Sequence, residues 1–326
     1  MAPRILLAAS PLNDTPVARE MAPDGFELTV AAPDSAEFRS ALAEAEYFVG
    51  LTSGQMGEAF FGAAPKLKLV QLVSAGYDRV DIAAARRARV PVSNNGGANS
   101  IAVAEHAMLL MLAVSRRLVW QHSNVVAGRW RGNDFASVKL SELHGKTLGI
   151  IGLGTIGKKV ARLARAFGLH VQYYDTVRLT EDGEDALSAR FRAMPEVLRS
   201  SDIISLHVPL TPATRKLIGS RELGMMKSSA ILINTCRGPV VDEAALYEAL
   251  SNGGIMAAGL DVFEEEPTSA TNPLLQLDNV ILTPHLAGPT WDNQTSRFRN
   301  AFDNVQRVAR GERPLWVIPE MRDLSL

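Results

Sequence analysis

Three ionisable residues of different type stand just beyond three short apolar runs. Arg237 follows Ile231-Leu232-Ile233-Asn234, Glu266 follows Leu260-Asp261-Val262-Phe263, and His285 follows Ile281-Leu282-Thr283-Pro284. An arginine fork binds a carboxylate in bidentate fashion. A histidine titrates near neutrality and can exchange a proton with a hydroxyl or carbonyl oxygen. A carboxylate bonded to the other ring nitrogen fixes the tautomer and raises its basicity. Taken singly, each residue has a plainer explanation. Arg237 could serve a surface ion pair, Glu264 to Glu266 a solvated acidic turn, and His285 a loop cap. Among the glutamates Glu266 is preferred, because Pro267 after it holds its backbone extended.

A fourth feature gives the trio its context. Gly152, Gly154 and Gly157 stand in the spacing G-x-G-x-x-G directly after the apolar run Thr147 to Ile151. A helix-spaced set follows (Ile156, Val160, Leu163, Ala164, Phe167), then Gly168 as a stop and a second strand, His170 to Tyr174, ending in Asp175. A strand–turn–helix–strand unit of about 30 residues makes the glycine pattern informative. Gly152 permits the tight turn, Gly154 the approach of a pyrophosphate, and Gly157 close packing of helix on sheet. The helix N-terminus offers N–H groups to the phosphates. Asp175 suits an unphosphorylated adenosine ribose and so favours NAD, whereas the nearby Arg178 would suit a 2′-phosphate. The alternative is a glycine-rich turn without a ligand. Arg, carboxylate and His around a nicotinamide are the functions required for hydride transfer between NAD and a 2-hydroxy or 2-oxo acid.

The elements that must position these groups alternate along the chain. Strands are expected at Arg4–Ala9, Phe26–Ala31, Tyr47–Gly50, Leu67–Val73 and through Val92, with helices at Ala36–Glu46 and Ile82–Arg89. That is a small parallel α/β unit. After the loop Asn94–Ser100 comes a long apolar helix, Ile101 to Trp120, and then a polar arm from Gln121 to Leu143 with aromatics at Trp130 and Phe135. These aromatics fit either partner contacts or a loop packing its own tryptophan. Further strands follow at Ile203–Val208, Ala230–Asn234, Ala258–Val262 and Val280–Thr283. They lack alternation, as parallel strands buried on both faces do. The fold class expected is α/β: a doubly wound parallel sheet of Rossmann type for the nucleotide, plus a smaller flavodoxin-like α/β lid. The boundaries expected are 1–98 with 292–326 for the lid and 99–291 for the NAD-binding domain. The helix Trp291–Gly311 and the strand-like Leu315–Ile318 return to cover the first domain. Ligands of such sheets bind at the carboxyl ends of the strands.

Composition excludes several classes. The 326 residues carry a formal net charge of −1 and 47% hydrophobic residues. Balanced charge offers nothing to nucleic acid or an anionic membrane. The one cysteine, Cys236, cannot form an intramolecular disulfide, and a cytoplasmic location is expected. MAPRILLAAS at the N-terminus is too short for a membrane span and reads as a strand. No zinc-type ligand spacing occurs, so no metal is expected. Among the remaining histidines, His106 on the apolar helix fits a core or interface position. His207 at a strand end could line the cofactor cleft without acid–base work.

The sequence resembles the D-isomer-specific 2-hydroxyacid dehydrogenase family over nearly its whole length. The motifs are GLGTIGKKVA (Gly152–Ala161), SDIISLHVPLTPATRKLI (Ser201–Ile218), MMKSSAILINTCRGPVVDEAAL (Met225–Leu246), AAGLDVFEEEP (Ala257–Pro267) and NVILTPHLAG (Asn279–Gly288). VSAGYDRVD (Val73–Asp81) and NNGGANSIAVAEHA (Asn94–Ala107) match more loosely. The resemblance implies that Arg237, Glu266 and His285 are catalytic. It implies cofactor contacts at Thr155, Ile156 and Asp175, with Val208 and Pro209 lining the cleft, Thr235, Cys236 and Asp261 near the nicotinamide, and Gly288 beside it. Backbone amides of Ala75 and Gly76 would hold the substrate carboxylate. It also implies a homodimer joined through the nucleotide-binding domains, with the Gln121–Leu143 arm as a candidate for subunit exchange.

Formate dehydrogenases of the family carry Gln at the place of Glu266, which argues against formate. Phosphoglycerate dehydrogenases need basic residues on the lid, and Tyr47 to Ala64 contains none. A small unphosphorylated acid such as glyoxylate, hydroxypyruvate or pyruvate is therefore expected. The alternatives are phosphoglycerate, NADP-linked or phosphite dehydrogenases, and a non-catalytic NAD(H)-sensing protein. Trp291 fits either a wall of the substrate pocket or packing at the hinge.

Overall fold

The computed structural model describes residues 2–12, 14–130 and 138–324. They form two compact units, Met1–Asn99 with Gly288–Leu326, and Ser100–Ala287. The first junction lies one residue past the boundary expected from sequence, and the second lies four residues before it. Gly288 to Trp291 thus belong to the first unit.

The first unit alternates β1 (Arg4–Ala8), α1 (Thr15–Glu20), β2 (Glu27–Ala31), α2 (Ala36–Glu44), β3 (Tyr47–Val49), α3 (Glu58–Gly62), β4 (Leu69–Gln71), α4 (Ile82–Ala88) and β5 (Val92–Ser93). The strands pair in parallel in the order β2-β1-β3-β4-β5, the flavodoxin-like arrangement. Successive side chains point to opposite faces, so β1 feeds two cores. Leu6 and Ala8 join Phe48, Val70, Phe38 and Phe60. Ile5 and Leu7 join Tyr47, Leu69 and the C-terminal helix Gln294–Ala309 through Phe298 and Phe302. Burying such a phenyl ring contributes roughly 2–3 kcal/mol. Side-chain caps set the helix starts: Ser35 Oγ accepts from Phe38 N at 3.0 Å, and Asp81 Oδ1 from Ala84 N at 3.0 Å.

The second unit runs α5 (Ser100–Ser115), α6 (Leu118–Val126), β6 (Thr147–Ile151), α7 (Thr155–Ala166), β7 (His170–Tyr174), α8 (Glu181–Leu187), β8 (Ala189–Phe191), α9 (Met194–Ser200), β9 (Ile203–Leu206), α10 (Ser220–Leu223), β10 (Ile231–Asn234), α11 (Glu243–Ser251), β11 (Ala257–Leu260) and β12 (Val280–Leu282). Its seven strands are parallel in the order β12-β11-β10-β9-β6-β7-β8. Strand order reverses between β6 and β9, and that is where a doubly wound sheet opens its crevice. Most residues of β9, β10 and β11 are fully buried, which explains their largely apolar sequence without alternation.

Several expected elements differ. The long apolar helix does not reach Trp120. It stops at Ser115, Arg117 turns left-handed with φ 51°, and a new helix runs to Val126. The start of the supposed polar arm is therefore helical. Trp130 is 76% exposed, and Phe135 lies outside the described residues. The segment Leu315–Ile318 makes only an isolated bridge from Val317 to Ser93. A 3-10 turn at Trp291–Asn293 precedes the C-terminal helix, because Thr290 caps it through Asn293 N. No described helix is long and apolar enough to cross a membrane.

Candidate active site at the strand ends of the second unit

Gly152 leaves β6 with φ 93°, and a Cβ there would stand 2.7 Å from His207 O. The loop after β6 therefore passes the end of β9 at backbone contact, which only glycine permits. Gly157 lies in the first turn of α7, where a Cβ would approach Gly152 O to 2.3 Å. At Gly154 a Cβ would meet nothing within 4 Å. That open space lies at the N-terminus of a 12-residue helix, the place where N–H groups and the helix dipole favour a phosphate. Thr155 is exposed and Ile156 half-buried in that first turn. Asp175, at the end of β7, accepts from Leu153 N at 2.7 Å and from Val177 N at 3.3 Å. Its carboxylate thus tethers the glycine loop. Arg178 turns away to Glu184, with Nε to Oε1 at 2.7 Å, and lies over the Phe191 ring.

Beyond β9 and β10 two buried polar atoms, His207 Nδ1 and Thr235 Oγ1, have no hydrogen-bond partner. Burial lowers the His207 pKa to about 4, so the ring is neutral at physiological pH. Val208 is half-buried and Pro209 exposed beside it. Cys236 is buried, and burial pushes its thiol up to about 11. The glycine cradle, the open space and the two unpaired atoms at one edge of the sheet fit a dinucleotide.

At the same edge the ends of β10, β11 and β12 carry the ionisable residues. After β10, Asn234 Oδ1 accepts from Cys236 N and Sγ, both at 3.1 Å, while its Nδ2 donates to Arg237 O at 3.0 Å. The amide side chain shapes the turn that presents Arg237. Gly238 follows, where a Cβ would lie 1.8 Å from the Phe263 carbonyl carbon. The loops after β10 and β11 are therefore in backbone contact. Glu266 Oε1 accepts from Phe263 N at 3.0 Å, and its Oε2 lies 2.7 Å from His285 Nδ1. Burial pushes the Glu266 carboxyl up. The His285 and Phe263 hydrogen bonds and the Arg237 charge outweigh it and hold the pKa below the usual range. His285 has φ 54°, and its side chain is 43% exposed, so the ring is anchored at Nδ1 and open to solvent. Together these contacts make a proton-exchanging imidazole backed by a carboxylate, with a guanidinium close by.

The remaining expected contacts lie in the first unit. Ala75 and Gly76 follow β4 in a loop held by Ser74 Oγ to Gly76 O at 2.9 Å and Asn94 Nδ2 to Ala75 O at 3.3 Å. Gly288 O accepts from Asn293 Nδ2 at 2.7 Å.

Residues 108–287 match the family model described as "D-isomer specific 2-hydroxyacid dehydrogenase, NAD binding domain". The chain belongs to that family. This dehydrogenase is 39% identical to a glyoxylate reductase of Korarchaeum cryptofilum over 89% of its own length and 88% of the relative's. It is 43% identical to a D-3-phosphoglycerate dehydrogenase of Methanocaldococcus jannaschii over 76% of its length, which spans 47% of that protein. Among solved structures, a D-lactate dehydrogenase from Aquifex aeolicus complexed with NAD and lactic acid superposes with a TM-score of 0.84. Identity is 30%, with 94% of this chain and 96% of that one covered. A glyoxylate reductase from "Paecilomyes thermophila" gives 0.87 at 29% identity, covering 98% and 99%. The dehydrogenase is NAD-dependent, and the Rossmann and flavodoxin-like units are the folds expected from its sequence.

Sequence reasoning missed some residues of this edge. Asn234 sits at a strand end before a Thr-Cys-Arg-Gly turn, a position where an Asn side chain commonly bonds the backbone two residues on, so a local signal existed. Asp261, expected near the nicotinamide, has a carboxylate that accepts from Thr283 Oγ1 at 2.6 Å, Leu286 N at 3.0 Å and Ala287 N at 2.9 Å. Thr283 in turn bonds His106, 177 residues away in the chain, and no local pattern announces that pair.

Proposed function

We propose that this dehydrogenase transfers hydride between NAD(H) and a small D-2-hydroxy acid or its 2-oxo partner, of the glyoxylate, hydroxypyruvate or pyruvate type. The observation that carries the proposal is the 2.7 Å contact of His285 Nδ1 with Glu266 Oε2 at the strand ends. Nδ1 holds the hydrogen that Glu266 accepts, which leaves Nε2 to exchange a proton with the substrate oxygen. Glu266 keeps the ring in that tautomer and stabilises the imidazolium. Arg237 pairs with the substrate carboxylate and polarises the adjacent carbonyl. Ala75 and Gly76 would offer backbone N–H groups to a substrate carboxylate, which makes the first unit the proposed substrate-binding (lid) domain.

Gly152, Gly154, Thr155, Ile156 and Gly157 would hold the cofactor pyrophosphate, and Asp175 the adenosine ribose. Val208, Pro209, Thr235, Cys236, Asp261 and Gly288 would border the remaining part. The cofactor supplies the hydride. Arg178 is engaged by Glu184, which supports NADH over NADPH. In α6 no residue is buried, and Leu118, Val119, Val125 and Val126 are all at least half exposed. An apolar helix left open in this way supports a homodimer through the nucleotide-binding domain. The single cysteine is consistent with a reducing cytoplasm.

The test is NADH oxidation across glyoxylate, hydroxypyruvate, pyruvate, bulkier 2-oxo acids and phosphohydroxypyruvate, each repeated with NADPH. We expect turnover with NADH and a small acid. The similarity to phosphoglycerate dehydrogenase makes phosphohydroxypyruvate the second candidate, and its preference would replace the first. Tight NADH binding without any turnover would leave a nucleotide sensor.

A further inference from the structure

We infer that His106 is a positioning residue for His285, acting through Thr283 and Asp261. The inference rests on the proposed role of His285 in proton exchange. His106 lies on α5, which packs on α7, β10, β11 and β12, and its side chain is only 16% exposed. Its Nε2 stands 2.9 Å from Thr283 Oγ1 and 3.6 Å from Asp261 Oδ1. Thr283 Oγ1 is 2.6 Å from Asp261 Oδ1. The other two groups bonded to that carboxylate are backbone N–H donors, so the carboxylate accepts at both oxygens. The Thr283 hydroxyl therefore spends its one hydrogen on Asp261 and has only lone pairs left for His106. It follows that His106 donates from Nε2–H. The direction of every hydrogen bond from α5 to the carboxylate is then fixed.

The far end of this chain is the turn that carries His285. Asp261 O accepts from His285 N at 2.8 Å, and its carboxylate holds Leu286 N and Ala287 N, the two residues that follow. His285 itself is left-handed, a conformation uncommon for a residue with a Cβ, and it persists only where the surroundings over-determine it. Asp261 supplies that constraint, and Thr283 and His106 orient Asp261. Without the Nε2–H donor, the hydroxyl and the carboxylate can rotate, and the left-handed turn loses its brace. A misplacement of about 1 Å at a reacting group costs on the order of 10²-fold in rate. His106 thus bears on the chemical step while touching neither Glu266 nor His285 in any hydrogen bond we find among the described residues.

Two readouts test this. In histidine-¹⁵N-labelled protein, two-bond ¹H–¹⁵N correlations should show His106 protonated at Nε2, assigned by loss of its signals in His106→Gln. An unprotonated Nε2 would overturn the inference. That readout does not depend on activity, so it stands even if the whole 2-oxo acid panel fails and the proposed reaction falls. In steady state, His106→Leu should lower kcat by about tenfold or more, with KM for NADH and for the 2-oxo acid within about twofold of the wild type. His106→Gln, whose amide N–H can replace the donor, should recover most of the loss. Thr283→Val should repeat the Leu phenotype and Thr283→Ser the recovery, which keeps the test open if His106→Leu fails to fold. Equal losses in kcat and cofactor binding, or a Gln variant no better than Leu, would mean a merely structural histidine.

Discussion

The two halves of the seven-stranded sheet prepare their strand ends in opposite ways. On the β6 side, recognition is made of backbone and space: a left-handed Gly152, a Gly157 pressed on the loop, and nothing near Gly154. Asp175 is turned back to hold Leu153 N. On the β10 to β12 side, polar side chains hold both the turns and one another. Asn234 shapes the Arg237 turn, Glu266 anchors His285, and Asp261 ties down the residues around it. A pyrophosphate asks for N–H groups and room, whereas proton exchange asks for a titratable ring in a fixed tautomer. Substitutions on the first side should thus act through volume and on binding. On the second side they should act through chemistry and on turnover.

The largest effect that would sharpen this contrast is His285→Ala. We expect kcat to fall by about 10²–10⁴-fold, with NADH affinity by fluorescence titration within about threefold of the wild type. Comparable losses in both would break the contrast. On the other side, Gly157→Ala forces a Cβ against Gly152 O. NADH affinity should drop by about tenfold or more and the melting temperature should fall, since a backbone contact cannot yield as a flexible side chain can. Unchanged NADH binding would show that the glycine loop is not the cofactor cradle.

Glu266→Gln should reduce kcat by about tenfold to a hundredfold, with NADH affinity within about threefold of the wild type. An unchanged kcat would detach Glu266 from proton exchange.

The smallest effect concerns His207, whose pKa is lowered to about 4 by burial. Between pH 6.5 and 4 the unfolded chain binds the extra proton and the folded one does not. Stability of the cofactor-free protein therefore declines as pH falls through that window, by at most about 3 kcal/mol. His207→Asn should flatten urea-unfolding free energies there. A slope equal to the wild type's would show that His207 is not the buried neutral ring described.

The same contrast separates what was legible in sequence from what was not. The glycine loop was legible because backbone approach permits only one residue type, and the strands because burial on both faces leaves largely apolar runs without alternation. Arg237, Glu266 and His285 could be singled out because a doubly wound sheet gathers ligands at its strand ends. The support beneath them was hidden. His106 reads as one polar residue on an apolar helix, and only the fold brings Thr283 to it across 177 residues. The arm from Gln121 misled through composition. Gln121, His122, Ser123 and Asn124 suggest a loop, yet they lie on α6, whose apolar residues are left uncovered. The domain boundary moved to Ala287/Gly288 because Thr290 and Asn293 already tie the chain to the first unit's helix.

Cys236 has a practical side. The only thiol in the sequence is buried, donates to Asn234 Oδ1, and resists ionisation up to about pH 11. Alkylating reagents act on the thiolate, so the wild-type chain offers them almost nothing. One cysteine introduced on the surface of either unit would become the sole labelling position. Fluorophores placed this way could report on either unit by itself without first stripping the protein of its native sulfur chemistry.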